Sequence, residues 1–93
     1  MNEIRAIEKE LIEQIHFPAQ EVLSSPEKVN NRLALAQKAR LLGNSHKGKV
    51  KIVFEDTEGR KVVETTIWGV TDKYLLLKRG MSLPLHRVLD IIL

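Results

Sequence analysis

The spacing of apolar residues changes once along the chain, near Gly43. Before Gly43 they recur every three or four residues, as on one face of an α-helix; after it they alternate with polar residues, as in a β-strand. A helical part followed by a run of strands predicts an α+β domain. The 93 residues are enough for one domain. We expect residues 1–93 to form it, with a helical arm over 1–45 and a small β-barrel over 46–93.

Two amphipathic helices are predicted, over residues 3–15 and 26–42. The first carries its apolar residues at helical spacing, at Ile4, Ile7, Leu11 and Ile15. It ends at Phe17-Pro18, because the residue before a proline avoids helical dihedrals. The apolar stripe of the second is Val29, Leu33, Ala36 and either Leu41 or Leu42.

The start of the second helix has two interpretations. Either Ser25 is the N-cap with Pro26 at the first helical position, or Ser24 and Glu27 form a capping box. Gly43-Asn44 is predicted to end this helix.

All strands are predicted after residue 46. Val50, Ile52 and Phe54 share one face of the first strand, turns follow at 56–59, 71–73 and 79–80, and a long strand covers 61–70. In the last part, Leu85, Val88 and Ile91 step by three, which predicts one tight helical turn across "HRV" before a final strand, "LDIIL". Pro84 lacks an amide proton and belongs at a sheet edge or a bulge.

Five bent antiparallel strands with this corner predict a small, strongly bent five-stranded antiparallel β-barrel behind two N-terminal helices. The last strand would close the barrel, and residues from both helices would cover its open side. The predicted buried residues are Ile52, Phe54, Ile67, Leu75, Leu77, Leu85, Val88 and Ile91.

Two resemblances accompany this reading of the strands. "VKIVFEDTEGRKV" and "WGVTDKYLLLK" resemble the first strands of Sm-like and Src-homology-3-like barrels, and Arg79-Gly80 resembles the second Sm motif. Sm-like proteins bind RNA bases through an aspartate and an asparagine; Val70 and Tyr74 stand at those places here. "KGKVKIVFEDTEGRKVVETTIWGVTDKYLLLKRG" with its "PLHRV" ending is also similar to a family of short, uncharacterised bacterial proteins, which implies a fold rather than a function.

Several functions are excluded or disfavoured by composition. The chain has no cysteine, so disulfides, thiolate zinc sites and cysteine nucleophiles are excluded. The three histidines are isolated, and no phosphate-binding or nucleophile motif occurs. Ser82, His86 and Asp90 contain triad residue types but no motif. We therefore expect no enzyme, no catalytic residue, no metal and no cofactor. Without a transmembrane stretch or signal-peptide core, we expect a cytoplasmic protein with no membrane partner.

The net charge of +3 comes entirely from residues 46–93. A solvated surface explains such a mild excess, but a basic face also suits an anionic partner. We expect a binding module for single-stranded RNA or DNA; the alternative is a protein-interaction adaptor that binds no nucleic acid. The candidate cations are Lys49, Lys51, Lys73, Lys78, Arg79 and Arg87.

Trp68 and Tyr74 flank the 71–73 turn. Aromatic faces beside cations can stack on nucleic-acid bases. We expect Trp68 to be a core anchor beside Gly69, and the alternative is a surface ring available for stacking. Exposure of the rings distinguishes the two.

Overall fold

The structure is a computed structural model that describes residues 4–46 and 48–93, and their side chains apart from those of 44–46. Within these residues it has one α-helix, α1 (Pro26–His46). The strands are β1 (Arg5–Ala6), β2 (Val50–Glu55), β3 (Arg60–Thr65), β4 (Ile67–Val70), β5 (Tyr74–Leu77), β6 (Ser82–Pro84) and β7 (Val88–Ile92). Short 3₁₀ helices lie at Lys9–Gln14, Lys78–Gly80 and Leu85–Arg87.

The predicted two helices and closed barrel are wrong. The described strands form two open sheets, one in the order β1-β3-β2-β7 and the other in the order β4-β5-β6. The predicted 61–70 strand is divided at Thr66, so that β3 belongs to the first sheet and β4 to the second. The last strand, β7, pairs with β2 and completes the first sheet instead of closing a barrel.

The predicted helix over 3–15 is also wrong, and so is the expectation that all strands follow residue 46. Arg5 and Ala6 form β1, which runs parallel to β3, and the Ile7 amide donates to the Val62 carbonyl at 3.0 Å. A 3₁₀ turn then buries Ile12. A short helix is marginal without tertiary packing, whereas this path satisfies backbone groups at the open edge of β3 and still buries apolar side chains.

The start of α1 matches the first of the two predicted caps. The Ser25 hydroxyl accepts a hydrogen bond from the Lys28 amide at 3.2 Å, and Pro26 is the first helical residue. The predicted stop at Gly43-Asn44 is wrong, because the helix continues to His46. Gly43 serves close approach: a Cβ there would lie 2.5 Å from the Ile67 carbonyl oxygen of β4.

The buried face of α1 differs from the predicted stripe. Arg32, Ala36, Ala39 and Gly43 are buried at helical spacing, whereas Leu33 and Leu41 are exposed. The small residues let α1 lie close to β4 and β7, one strand from each sheet.

The core between the sheets is as predicted. All eight predicted core residues are buried, in one cluster with Ile12 and the α1 alanines. The turns at 56–59, 71–73 and 79–80 are confirmed, as is the tight helical turn before β7. Pro84 lies on β6, an edge strand of the second sheet, as expected for a residue without an amide proton.

Candidate nucleic-acid interface

The outer face of the second sheet carries three large exposed side chains, those of Trp68, Leu76 and Tyr74. Alternation in β5 turns Leu75 and Leu77 into the core and Tyr74 and Leu76 outward. Trp68 is 53% exposed and Tyr74 45% exposed. The expectation that Trp68 is a core anchor is wrong, and its ring lies on the surface.

Gly69 leaves room for the Leu76 side chain on this face of the sheet. Gly69 is paired with Leu76 across β4 and β5, and a Cβ at Gly69 would lie 3.1 Å from Leu76 Cδ1. Leu76 thus lies close over the backbone of β4, between Trp68 on that strand and Tyr74 two residues along its own. We call Trp68, Leu76 and Tyr74 the aromatic face.

Cations lie at both ends of β5, beside the aromatic face. Lys73 belongs to the turn before β5, where the Thr71 hydroxyl accepts hydrogen bonds from the Lys73 and Tyr74 amides at 3.2 and 2.9 Å. Lys78 and Arg79 form the turn after β5, with Arg79 at φ 70°. A strand rise of ~3.3 Å per residue places the Cα atoms of Lys73 and Lys78 roughly 16 Å apart.

The side chains of Lys73, Lys78 and Arg79 are exposed and have no hydrogen-bond or ion-pair partner among the described residues. Asp72 is the sole acidic residue in the sequence from 65 to 89. The surface around the aromatic face therefore has three cations against one acid, which gives it a positive local charge.

Lys49 and Lys51 do not join this surface, because they precede and occupy β2 in the first sheet. Lys51 is directly opposite Glu64 in the β2–β3 ladder. Both lysines line a pocket of about 400 Å³ that Glu8 and Glu64 also line. Their surroundings are of mixed charge, so the structure does not bring all six predicted cations together.

Arg87 is buried, and its guanidinium is used within the fold. It donates to the Glu55 carbonyl at 2.9 Å and to the Gln20 carbonyl at 2.7 Å. The third guanidinium nitrogen, Nη2, lies 3.6 Å from the Glu55 carboxylate. These contacts make Arg87 a structural residue, and we leave it out of the candidate interface.

Two further cations are used in the same way. The Arg32 guanidinium holds both carboxylate oxygens of Glu21 at 2.6 and 2.7 Å and donates to the Val88 carbonyl at 3.0 Å. These hydrogen bonds lower the pKa of Glu21 against the opposing effect of its burial. The pair ties the segment before α1 to β7.

Lys61 forms a buried ion pair with Asp56 at the turn between β2 and β3 and reaches Glu58 at 2.8 Å. Burial alone would raise the pKa of Asp56, but the hydrogen bonds from Lys61 and from the Glu58 and Gly59 amides outweigh it and lower that pKa. The hydrogen bonds to Asp56 and Glu58 raise the pKa of Lys61.

The described residues offer little for catalysis or metal binding. No group of three or more histidine or carboxylate side chains among them is placed to hold a metal ion. His86 Nε2 donates to the Pro18 carbonyl at 2.9 Å, and Asp90 accepts from the Ile91 amide. Among the described residues, no hydrogen bond joins either of them to Ser82. The side chain of His46 lies outside the described residues.

A pocket of about 320 Å³ opens on one side of Tyr74. Val29 and Leu33 of α1 form one wall, Lys73 and Tyr74 form another, and Asp72 also lines it. The pocket joins the aromatic face through the Tyr74 ring.

Sequence reasoning missed Leu76 and Asp72. In "YLLLK" all three leucines suggest core, and the signal that separates Leu76 is the alternation within β5, with buried leucines on both sides. Asp72 was noted as a turn residue, and its only sequence signal is its isolation among cations.

No family model, curated protein or solved structure matches this chain. The resemblances to Sm-like barrels and to a bacterial family therefore remain predictions. Within the described part of the chain, α1 and the 3₁₀ turns are too short or too polar to span a bilayer.

Proposed function

We propose that the protein binds single-stranded nucleic acid on the aromatic face of its second sheet. The observation that carries this proposal is the exposure of two aromatic rings on adjacent strands, with three cations at the ends of β5 that have no partner among the described residues. Single-strand-binding proteins combine stacking rings with cations that follow the phosphate backbone.

The exposure of Trp68 supports a binding role over a packing role. A tryptophan on a surface contributes little to the core, and large exposed apolar patches often mark interaction sites. Trp68, Leu76 and Tyr74 are neighbours on one side of the sheet, so a strand of nucleic acid could contact all three. The protein is in this proposal a binding module without catalytic activity.

The first experiment is a titration of labelled twelve-residue oligo(U) and oligo(dT), followed by fluorescence anisotropy at low and moderate salt. We expect binding in low salt that weakens as salt rises, because each phosphate contact contributes about −0.7 to the slope of log affinity against log salt. No binding at tens of micromolar protein in low salt would contradict the proposal.

Substitutions separate the contribution of phosphate contacts from that of base stacking. Lys73→Gln and Lys78→Gln should each flatten the salt slope by roughly 0.7 where the residue contacts a phosphate. Arg79→Asn is the better change at Arg79, since asparagine tolerates a positive φ. Trp68→Ala or Tyr74→Ala should cost about 1–3 kcal/mol of affinity with little change of slope.

The matched control is Lys49→Gln combined with Lys51→Gln, which removes two exposed lysines from the first sheet. This variant should bind as the unchanged protein does after allowance for its lower net charge. A larger loss from this variant than from the Lys73, Lys78 and Arg79 substitutions would show that the first sheet is the binding surface.

The exposed Leu76 between the rings favours a second candidate, a protein partner on the same face. Leu76 is 42% exposed. Absence of oligonucleotide binding, together with loss of a protein partner in Leu76→Asp, would favour this adaptor function.

A further inference from the structure

The pocket beside Tyr74 is suited to one flat ring. Its volume of about 320 Å³ lies at the lower end of the range for small-ligand sites, roughly 300–1,000 Å³. Val29 and Leu33 provide an apolar wall and Leu85 is a buried part of the lining, while Tyr74 provides an aromatic edge. Since Tyr74 also belongs to the aromatic face, a nucleic-acid strand bound across this face passes the mouth of the pocket.

The two carboxylates that line the pocket differ in whether they already accept hydrogen bonds from side chains. Glu21 has both oxygens bound by Arg32. Asp72 is exposed, and within the described part of the chain its carboxylate has no hydrogen-bond or ion-pair partner. Its backbone position is held by the Thr71 turn. Asp72 thus offers two acceptor oxygens from a turn whose backbone is held by the Thr71 hydroxyl.

An unpaired carboxylate next to Lys73 opposes phosphate binding, because it repels the backbone that the lysine attracts. The carboxylate favours nucleic-acid binding only where it accepts hydrogen bonds. In a nucleic acid, the donors for such bonds are the N–H groups of the bases. The position of Asp72 therefore suits contact with a base edge and not with the backbone.

We propose that the pocket holds one unstacked base of the bound strand and that Asp72 selects guanine there. Guanine presents N1–H and the N2 amino group side by side, which matches the two oxygens of a carboxylate. Uracil presents one N–H between two carbonyls that repel a carboxylate. Recognition of unstacked bases on their Watson–Crick edges is the usual mode for single-stranded RNA. This inference rests on the proposed function.

The experiment compares a uridine nonamer with the same nonamer carrying one central guanosine. We expect the guanosine strand to bind roughly tenfold more tightly, the size of effect given by one good bidentate base contact. Asp72→Asn should abolish this preference. It should not weaken binding of the all-uridine strand, because it removes a negative charge. Loss of the guanosine preference without weaker binding of the all-uridine strand distinguishes loss of base recognition from loss of folding.

Glu64→Gln is the matched control, since it removes one exposed carboxylate from the first sheet. It should keep the guanosine preference. Equal affinity for the two strands would overturn the inference and leave the proposed function standing, whereas no binding of either strand would overturn both. A guanosine preference that persists in Asp72→Asn would overturn the assignment to Asp72.

Discussion

The buried pair of Lys61 and Asp56 shows how a single charged residue couples stability to pH. The folded-state pKa of Asp56 is lowered, so its stabilising contribution is present above the unfolded value of about 3.8 and is lost as pH falls through the folded value. The pKa of Lys61 is raised, so its contribution is complete below about 10.5 and is lost as pH rises through the folded value.

We therefore expect a plateau of stability between about pH 5 and 9, with extra losses at each end that come from this pair. The measurement is urea unfolding against pH for the unchanged protein and for Asp56→Asn combined with Lys61→Met. Asparagine keeps an acceptor for the Glu58 and Gly59 amides. The difference in unfolding free energy between the two proteins should shrink below pH 4 and above pH 10.5. Parallel curves of unfolding free energy against pH at both ends would contradict the prediction.

Phe54 is the largest fully buried side chain, and its ring lies 5.9 Å from that of Phe17, centroid to centroid. Phe54→Ala should cost about 3–5 kcal/mol of unfolding free energy, because it leaves a cavity between the sheets. For a domain of this size such a loss is enough to unfold much of the protein. Thermal melting checks this, with exposed Leu76→Ala as the control; an unchanged melting temperature for Phe54→Ala would refute it.

At the scale of elements, α1 and β4 meet where Gly43 faces the Ile67 carbonyl. A Cβ at position 43 would also lie 2.9 Å from Thr66 Cγ2. Alanine favours a helix by about 1 kcal/mol over glycine, but here the clash is with rigid backbone.

Gly43→Ala should therefore destabilise the protein despite the better helix propensity of alanine. Gly48→Ala is the matched control, since no atom lies within 4 Å of a Cβ built there. Removing a glycine at an unstrained position should be neutral or stabilising by about 0.4–1 kcal/mol. Equal unfolding midpoints in urea for the two variants would show that the contact of α1 with β4 is looser than described.

Residues 4–15 show how an element can change type. Their apolar residues recur at helical spacing, yet Ile7 follows β1, Ile12 lies in the 3₁₀ helix and Ile15 follows that helix. The open edge of β3 offers backbone partners that a helix would not use. Of the predicted stripe, Ile7 and Ile15 pack against the core, whereas Ile4 and Leu11 are exposed and the buried residue is Ile12, which is outside the stripe. The sequence pattern therefore identified neither the backbone path nor all of the side chains that face the core.

At the scale of the whole molecule, basic residues connect segments that are far apart in sequence. Arg87 joins the segment before α1 to β2, and Arg32 joins that segment to β7. The Val22 amide also donates to the His86 carbonyl at 2.9 Å. These contacts hold residues 20–22 against the first sheet and the 3₁₀ turn before β7.

Arg87→Gln should lower stability by about 1–3 kcal/mol, because two carbonyl groups lose their donor. It should leave the salt slope of oligonucleotide binding unchanged once the protein is folded. Lys73→Gln should leave stability unchanged and flatten the salt slope. Melting temperatures and anisotropy titrations of the two variants check this, and a flattened salt slope in Arg87→Gln would return Arg87 to the interface.

The sequence by itself determined the α+β class, the position of α1 to within a few residues, the turns, the corner before β7 and the buried residues of the strands. These follow from spacing, from proline and glycine, and from alternation, all of which act over a few neighbouring residues. The second sheet, the open edges and the strand at Arg5–Ala6 depended on which edges find partners across the molecule.

The candidate site divides in the same way. Trp68, Tyr74, Lys73, Lys78 and Arg79 could be named from residue type and proximity in sequence. Their exposure, the separation of Lys49 and Lys51 on the other sheet and the burial of Arg87 were decided by tertiary structure. The reason is physical: a cation or a ring has the same local pattern whether it faces water or another segment, and only long-range packing settles which of the two it meets.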